Sequence, residues 1–258
     1  MFIIRKIRRI RNRILGIFNF WPVSSLNNTW LRSVPYFCIS MQVSQKRRRL
    51  LSRQVSSLSL SDFRFVDATV GSDLDLSKLV EDGLYDDEKA RHYHDRPLTP
   101  GEIGLSLTHA RIYKMIVDSD LDEAVILEDD VLFLPRNLDT LRRSSIPPDF
   151  DVLFFHAELS EDPPRGHFCD QIFSDDSYVA SSVAYLVSRK GARKLLAAAL
   201  PVAHASDGFL GRAMKWDRDN AHRFRQQGVA IQLSSYIIHP PGVLNGSSCN
   251  FIKSTIAD

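Results

Sequence analysis

Ala124-Val125-Ile126-Leu127-Glu128-Asp129-Asp130-Val131-Leu132-Phe133 is the stretch on which the reading of this chain turns. A short apolar run bounded by polar residues predicts a buried strand. In an open α/β sheet, ligands bind just beyond the carboxyl ends of the strands. Here three adjacent carboxylates stand at that position. Hard divalent cations take oxygen ligands, and Mg²⁺ or Mn²⁺ often needs only one or two carboxylates beside substrate phosphates. Taken alone, the triplet reads either as such a site or as a solvated acidic turn after a strand.

Outward from this strand, β-like and helical patterns alternate. Val34–Ile39, Phe63–Val66, Asp151–Phe155 and Val229–Ile238 read as strands, and Tyr178–Val187 as a further apolar stretch. Lys46–Leu58 reads as a helix with Leu50, Leu51, Val55 and Leu58 as its stripe. Thr99-Pro100-Gly101-Glu102 is a capping box opening a helix to about Val117. An alanine-leucine helix follows Ser188 and runs to Leu200. Residues 71–97 are polar and predict a loop with one short helix, a candidate lid. This alternation predicts an α/β fold, a mostly parallel sheet flanked by helices.

The 258 residues suffice for one large α/β domain, and 44% hydrophobic with 25% charged is ordinary globular composition. Cys38, Cys169 and Cys249 lack metal-ligand spacing and are odd in number, which predicts a reducing compartment. The net charge of +2 hides an asymmetry. No acid precedes Asp62, yet the first 61 residues carry 12 Lys or Arg, leaving a net charge of −10 on the rest. A basic head on an acidic body argues against a general nucleic-acid-binding surface. Within the head, Phe2, Ile3, Ile7, Ile10, Ile14 and Ile17 recur at helical spacing between arginines. Such a helix lies in an anionic membrane interface, although a disordered basic tail is the plainer alternative. No run of about 18 apolar residues exists to span a bilayer, and Ile14–Phe20 lacks a signal-peptide cleavage site. Residues 1–33 are thus expected to be a basic segment and linker, and 34–258 one domain.

Glu102, Ser106, His109 and Tyr113 share one face of the capped helix. That face either lines a cleft or holds a cap and a satisfied histidine. Asp207, in Ala205-Ser206-Asp207-Gly208, reads as a helix cap or as a general base. Phosphate-loop, dinucleotide, nucleophile-elbow and zinc-protease motifs are all absent from the sequence.

Three segments in order carry a resemblance. Leu98–His109, Val125–Val131 and Ser182–Leu196 resemble the signature segments of glycosyltransferase family 25, which comprises lipooligosaccharide glycosyltransferases with collagen galactosyltransferases as relatives. Asp67-Ala68-Thr69-Val70-Gly71, the Arg47-Arg48 pair and the late Asp207 match too. Two departures stand out: Cys38–Gln45 replaces the family's usual start, and Leu105 stands where the family has cysteine. The resemblance implies a single-domain GT-A-like fold and an inverting hexosyltransferase using a UDP-sugar, usually UDP-galactose, with Mn²⁺ or Mg²⁺. It implies Glu128, Asp130 and His239 as metal ligands. Asp67, Glu102, His109, Arg111 and Asp129 would line the donor site, and Asp207 would be the general base. The implied acceptor is a glycan or lipid-linked oligosaccharide, reached at the cytoplasmic face of the membrane. A catalytically silent sugar-nucleotide- or glycan-binding module and a metal-dependent phosphoesterase are the competing readings.

Deleting residues 2–20 is expected to release the protein from anionic vesicles in a sedimentation assay. Vesicle binding that survives the deletion would remove the membrane role from the head.

Overall fold

The computed structural model describes residues 25–159, 164, 166–174, 179–214 and 231–248. The basic helix expected at 1–20 lies outside them, as do Cys249 and part of the expected strand from Val229. Helix α1 is Thr29–Ser33, followed by β1 Tyr36–Ser40, α2 Gln45–Leu58 and β2 Phe63–Asp67. Short helices α3 Leu76–Glu81 and α4 Asp87–His94 precede the long α5 Pro100–Asp118. Next come β3 Glu123–Glu128, β4 Val131–Phe133, the single turn α6 Pro135–Leu138 and β5 Val152–Phe154. The short strands β6 Ala157–Glu158, β7 His167–Cys169, β8 Ile172–Phe173 and β9 Val179–Ala180 lead to β10 Ala184–Ser188. Helices α7 Arg189–Ala199 and α8 Ser206–Met214 and strands β11 Ser235–Ile238 and β12 Val243–Asn245 complete the described elements.

Eight strands form one sheet in the order β2-β1-β3-β10-β5-β11-β8-β7. Only β10 and β8 run against the other six. The sheet is therefore mixed but mostly parallel in direction, and the fold class is the α/β one expected.

Strand periodicity explains why the strands are apolar throughout. Tyr36, Cys38, Val125, Leu127, Leu153 and Leu186 enter a core shared with Leu51 and Leu58 of α2. Their neighbours Phe37, Ile126, Phe154 and Tyr185 enter a second core, beneath Ile112 and Ile116 of α5, Leu195 of α7 and Leu210 of α8. A sheet covered on both faces needs hydrophobic residues at every position. Gly104 lets α5 approach: a Cβ there would collide with the carbonyl of Thr69, just past β2.

Two expectations are corrected. Residues 25–33 are not linker; α1 docks, with Leu26 and Leu31 buried in the first core. Asp139 ties this segment down, accepting the backbone N–H of Asn27 at 2.6 Å and of Asn28 at 3.1 Å. Nor is 71–97 a loop with one helix. Its scattered Leu74, Leu76, Leu79, Tyr85 and Ala90 pack with Ile103 of α5 and Val202 into a third core. The spacing there is too irregular to signal helix, but apolar area is buried all the same.

Candidate active site

Strands β1, β2 and β3 are parallel and end together, with Ser40 opposite Asp67 and Ile39 opposite Glu128. The chain crosses from β1 to β2 on one side and returns to β3 on the other. That makes the gap above β1 and β3 a topological switch point, where open α/β sheets bind ligands.

The acidic triplet sits at this edge with its two aspartates buried: Asp129 is 4% exposed and Asp130 5%. Asp129 accepts Ser40 Oγ at 2.6 Å and Arg47 Nη1 at 2.6 Å. Asp130 accepts Arg47 Nη2 at 3.4 Å and the Ser247 hydroxyl through Oδ2, while its buried Oδ1 has no hydrogen-bond partner. Glu128 accepts Ser182 Oγ at 2.7 Å. Burial first, and the neighbouring Asp130 next, push the Glu128 carboxyl up to about 8. Burial likewise raises Asp129, against the pull of Ser40 and Arg47.

The arginines come from the first turn of α2, which carries no acid of its own. Cations at a helix N-terminus oppose the macrodipole. Here carboxylates from β2 and the β3–β4 turn supply the compensation. Arg48 bonds Ser40 O at 2.8 Å and Asp67 Oδ1 at 2.5 Å. Gln42 donates to the other Asp67 oxygen at 2.7 Å, and these bonds hold that carboxyl below its usual range. Arg111 reaches the Asp67 backbone carbonyl. Asp67, Arg111, Asp129, Asp130 and Glu128 are thus brought together at one edge.

Asp207 opens α8, exposed, where its charge helps to raise the Glu128 carboxyl. Ser206 beside it meets Ser182 at 3.2 Å, and Ser182 donates to Glu128, so two serine hydroxyls tie Glu128 to the start of α8.

Three predicted residues sit elsewhere. Glu102 is a structural cap: its carboxylate accepts both Arg96 Nη atoms, at 2.7 and 2.8 Å, and the backbone N–H of Thr99 at 2.7 Å. Those bonds, Arg96 first, draw its carboxyl down to about 2. His109 is buried against β10, its Nδ1 2.8 Å from the Tyr185 hydroxyl, and burial lowers it to about 3. It lines a cavity of about 410 Å³ with Tyr93, Ser106, Tyr113, His204 and Ser206, under the site rather than at the Asp67 edge. His239 ends β11, three strands from β3, which is about 14 Å at ordinary strand spacing. Its ring meets Phe173 edge-on, with centroids 6.0 Å apart. His156, just past β5, has its Nδ1 3.3 Å from Val243 O; burial lowers it, against Val243 O and the charges of Glu158 and Asp130. Its place at the end of the strand expected at 151–155 was the available signal. Ser40, Ser182 and Ser247 gave none, because isolated serines carry no pattern.

Among the described residues no three His, Cys, Asp or Glu side chains converge as a metal cage. The orphaned Oδ1 of Asp130 beside Glu128 nevertheless suits a cation that takes most of its ligands from substrate phosphate and water.

The family model for glycosyltransferase family 25 (LPS biosynthesis protein) matches residues 34–210. The chain belongs to glycosyltransferase family 25. Within that family, the chain is 35% identical over 175 residues to procollagen galactosyltransferase 1-B of Xenopus laevis, covering 62% of this chain and 27% of that protein. It is 31% identical over 169 residues to a glycosyltransferase 25 family member of Aedes aegypti, with the same coverage. The chain therefore spans roughly a quarter of the length of these relatives. A crystal structure of a glycosyltransferase involved in glycosylation of the major capsid of PBCV-1 aligns at TM-score 0.37 and 9% identity, over 84% of this chain and 97% of that one.

Because Glu102 caps α5, Glu102→Ala should lower stability by about 1 kcal/mol at pH 7. The folded-state carboxyl lies below its ordinary 4.5. The contribution is therefore whole above that value and fades as pH falls toward 2. Urea melts across pH check this; unaltered stability in Glu102→Ala would remove the capping role.

Proposed function

We propose that this chain is a hexosyltransferase domain that moves galactose from UDP-galactose to a hydroxyl of a glycan or lipid-linked acceptor, with inversion. The observation that carries the reading is the carboxylate cluster at the switch point, with Asp130 Oδ1 unsatisfied and Asp207 near enough for its charge to help raise Glu128. Family membership and the printed names of its galactosyltransferase relatives favour the hexose and the sugar nucleotide.

Asp67, at the end of β2, and Arg111 of α5, bonded to its carbonyl, would meet the nucleoside. Asp130 Oδ1 and Glu128 would hold Mn²⁺ or Mg²⁺. When bound, that cation supplies positive charge against the departing diphosphate. Asp129, fixed by Ser40 and Arg47, keeps the triplet in place rather than offering a free oxygen. Asp207 takes the proton of the acceptor hydroxyl as its oxygen forms the new bond to the anomeric carbon and UDP leaves. Its exposure leaves room for an incoming acceptor, and attack from the face opposite the leaving group gives inversion. A cytoplasmic site at the inner membrane face, held by residues 1–20, would bring lipid-linked acceptors within reach.

Asp207→Asn should cut kcat at least 100-fold while leaving UDP-galactose affinity within about twofold. Asp130→Ala should abolish turnover with the fold retained by circular dichroism. Full activity in either variant would sink its assigned role, and loss of donor binding in Asp207→Asn would move that residue from acceptor to donor side.

A further inference from the structure

Arg47 is buried to 14% side-chain exposure, and its guanidinium spans both aspartates of the triplet. It is a cation already held where the divalent ion of the proposed function would need the same carboxylates. Nη1 takes Asp129 Oδ1 at 2.6 Å; Nη2 takes Asp130 Oδ2 at 3.4 Å and Ser247 Oγ at 3.2 Å. The contact to Asp130 is the longer, and Oδ1 of that same carboxylate is left unpartnered. The clamp is thus firm on Asp129 and loose on Asp130. Arg48, the next residue, is engaged elsewhere, on Ser40 and Asp67.

Resting on the metal-and-donor reading above, we infer that Arg47 is a resident counter-cation that suppresses metal binding until a nucleoside diphosphate arrives. Two cations side by side on one carboxylate pair repel each other, so a divalent ion entering alone meets the guanidinium's charge. A diphosphate brings negative charge for both. Arginine pairs well with phosphate oxygens in bidentate geometry, so the guanidinium can turn from Asp130 to the incoming diphosphate without losing a partner. Metal and diphosphate binding are then positively coupled, and by linkage each strengthens the other by the same factor. Arg47 is a positioning residue in this scheme: it acts on the carboxylates and on the order of binding.

The test is Mn²⁺ binding to the purified full chain, read from the loss of the free-ion electron paramagnetic resonance signal, with and without UDP. Wild type should bind Mn²⁺ weakly alone and at least tenfold more tightly with UDP. Arg47→Met should bind Mn²⁺ alone at least tenfold more tightly than wild type, with the UDP enhancement reduced. A merely structural arginine would give the opposite sign, because loosening the triplet weakens metal binding. If Arg47→Met does not fold, Arg47→Lys decides. Its shorter, compact cation cannot span both aspartates, and nucleotide-free affinity should rise two- to fivefold; unchanged or weaker affinity overturns the inference. Tight nucleotide-free Mn²⁺ binding by wild type also overturns it. If the arginine variants gain Mn²⁺ affinity while UDP enhances none of the proteins, the counter-cation role stands and the donor reading fails.

Discussion

Asp129 and Asp130 are ionisable groups almost wholly removed from water, and they are held together by one arginine. Burying an ion pair gains little net stability, but removing one partner of such a pair costs roughly 3–5 kcal/mol. The neighbourhood is arranged around that constraint. Helix α2 must begin where Arg47 and Arg48 of its first turn meet the β3–β4 turn and the end of β2. Ser40 must end β1 beside Asp129, and the turn after β12 must bring Ser247 over Asp130. Gln54, further along α2, satisfies both Val131 O and Phe133 N on β4, so the helix that supplies Arg47 is locked to the strand that follows the acids. Segments far apart in sequence converge because buried charge leaves them no cheaper arrangement.

Away from the charged edge, Tyr113, Tyr185 and His109 form a buried hydrogen-bonded row between α5 and β10. Separately, the hydroxyls of Ser182 and Ser206 tie Glu128 to α8. Glu128 thereby has a hydroxyl donor where Asp129 has a guanidinium, and this difference separates their chemistry. A carboxyl raised to about 8 is largely protonated at neutral pH, and a metal ion that takes it releases that proton. Asp207 contributes its charge to raising Glu128 and is itself exposed at the start of α8.

Much of the scaffold was legible because its signals are local. The capping box at Thr99–Glu102, the β-branched run before Glu128 and the alternation of strand and helix each depend on neighbouring residues, and the capped helix and the strand before the acids appear within a residue or two of their expected bounds. Signals that depend on tertiary contact were not legible. Leu26 and Leu31 read as linker because nothing nearby says that they dock. Glu102 has the composition of a ligand residue, but Arg96 and Thr99 use its oxygens. His239 and His156 both follow strands at the same sheet edge; only strand order reveals that the first stands three strands from β3 and the second two.

The central claim is that the switch-point acids bind a sugar nucleotide together with a divalent cation. The melting temperature of the folded chain in UDP-galactose, with and without Mn²⁺, tests it most directly. A ligand at 100 times its dissociation constant adds about 2.7 kcal/mol to the native state. The account predicts a rise of several degrees with nucleotide and metal together, and little with either alone. A folded protein whose melting temperature ignores the pair, or rises equally without metal, would contradict it.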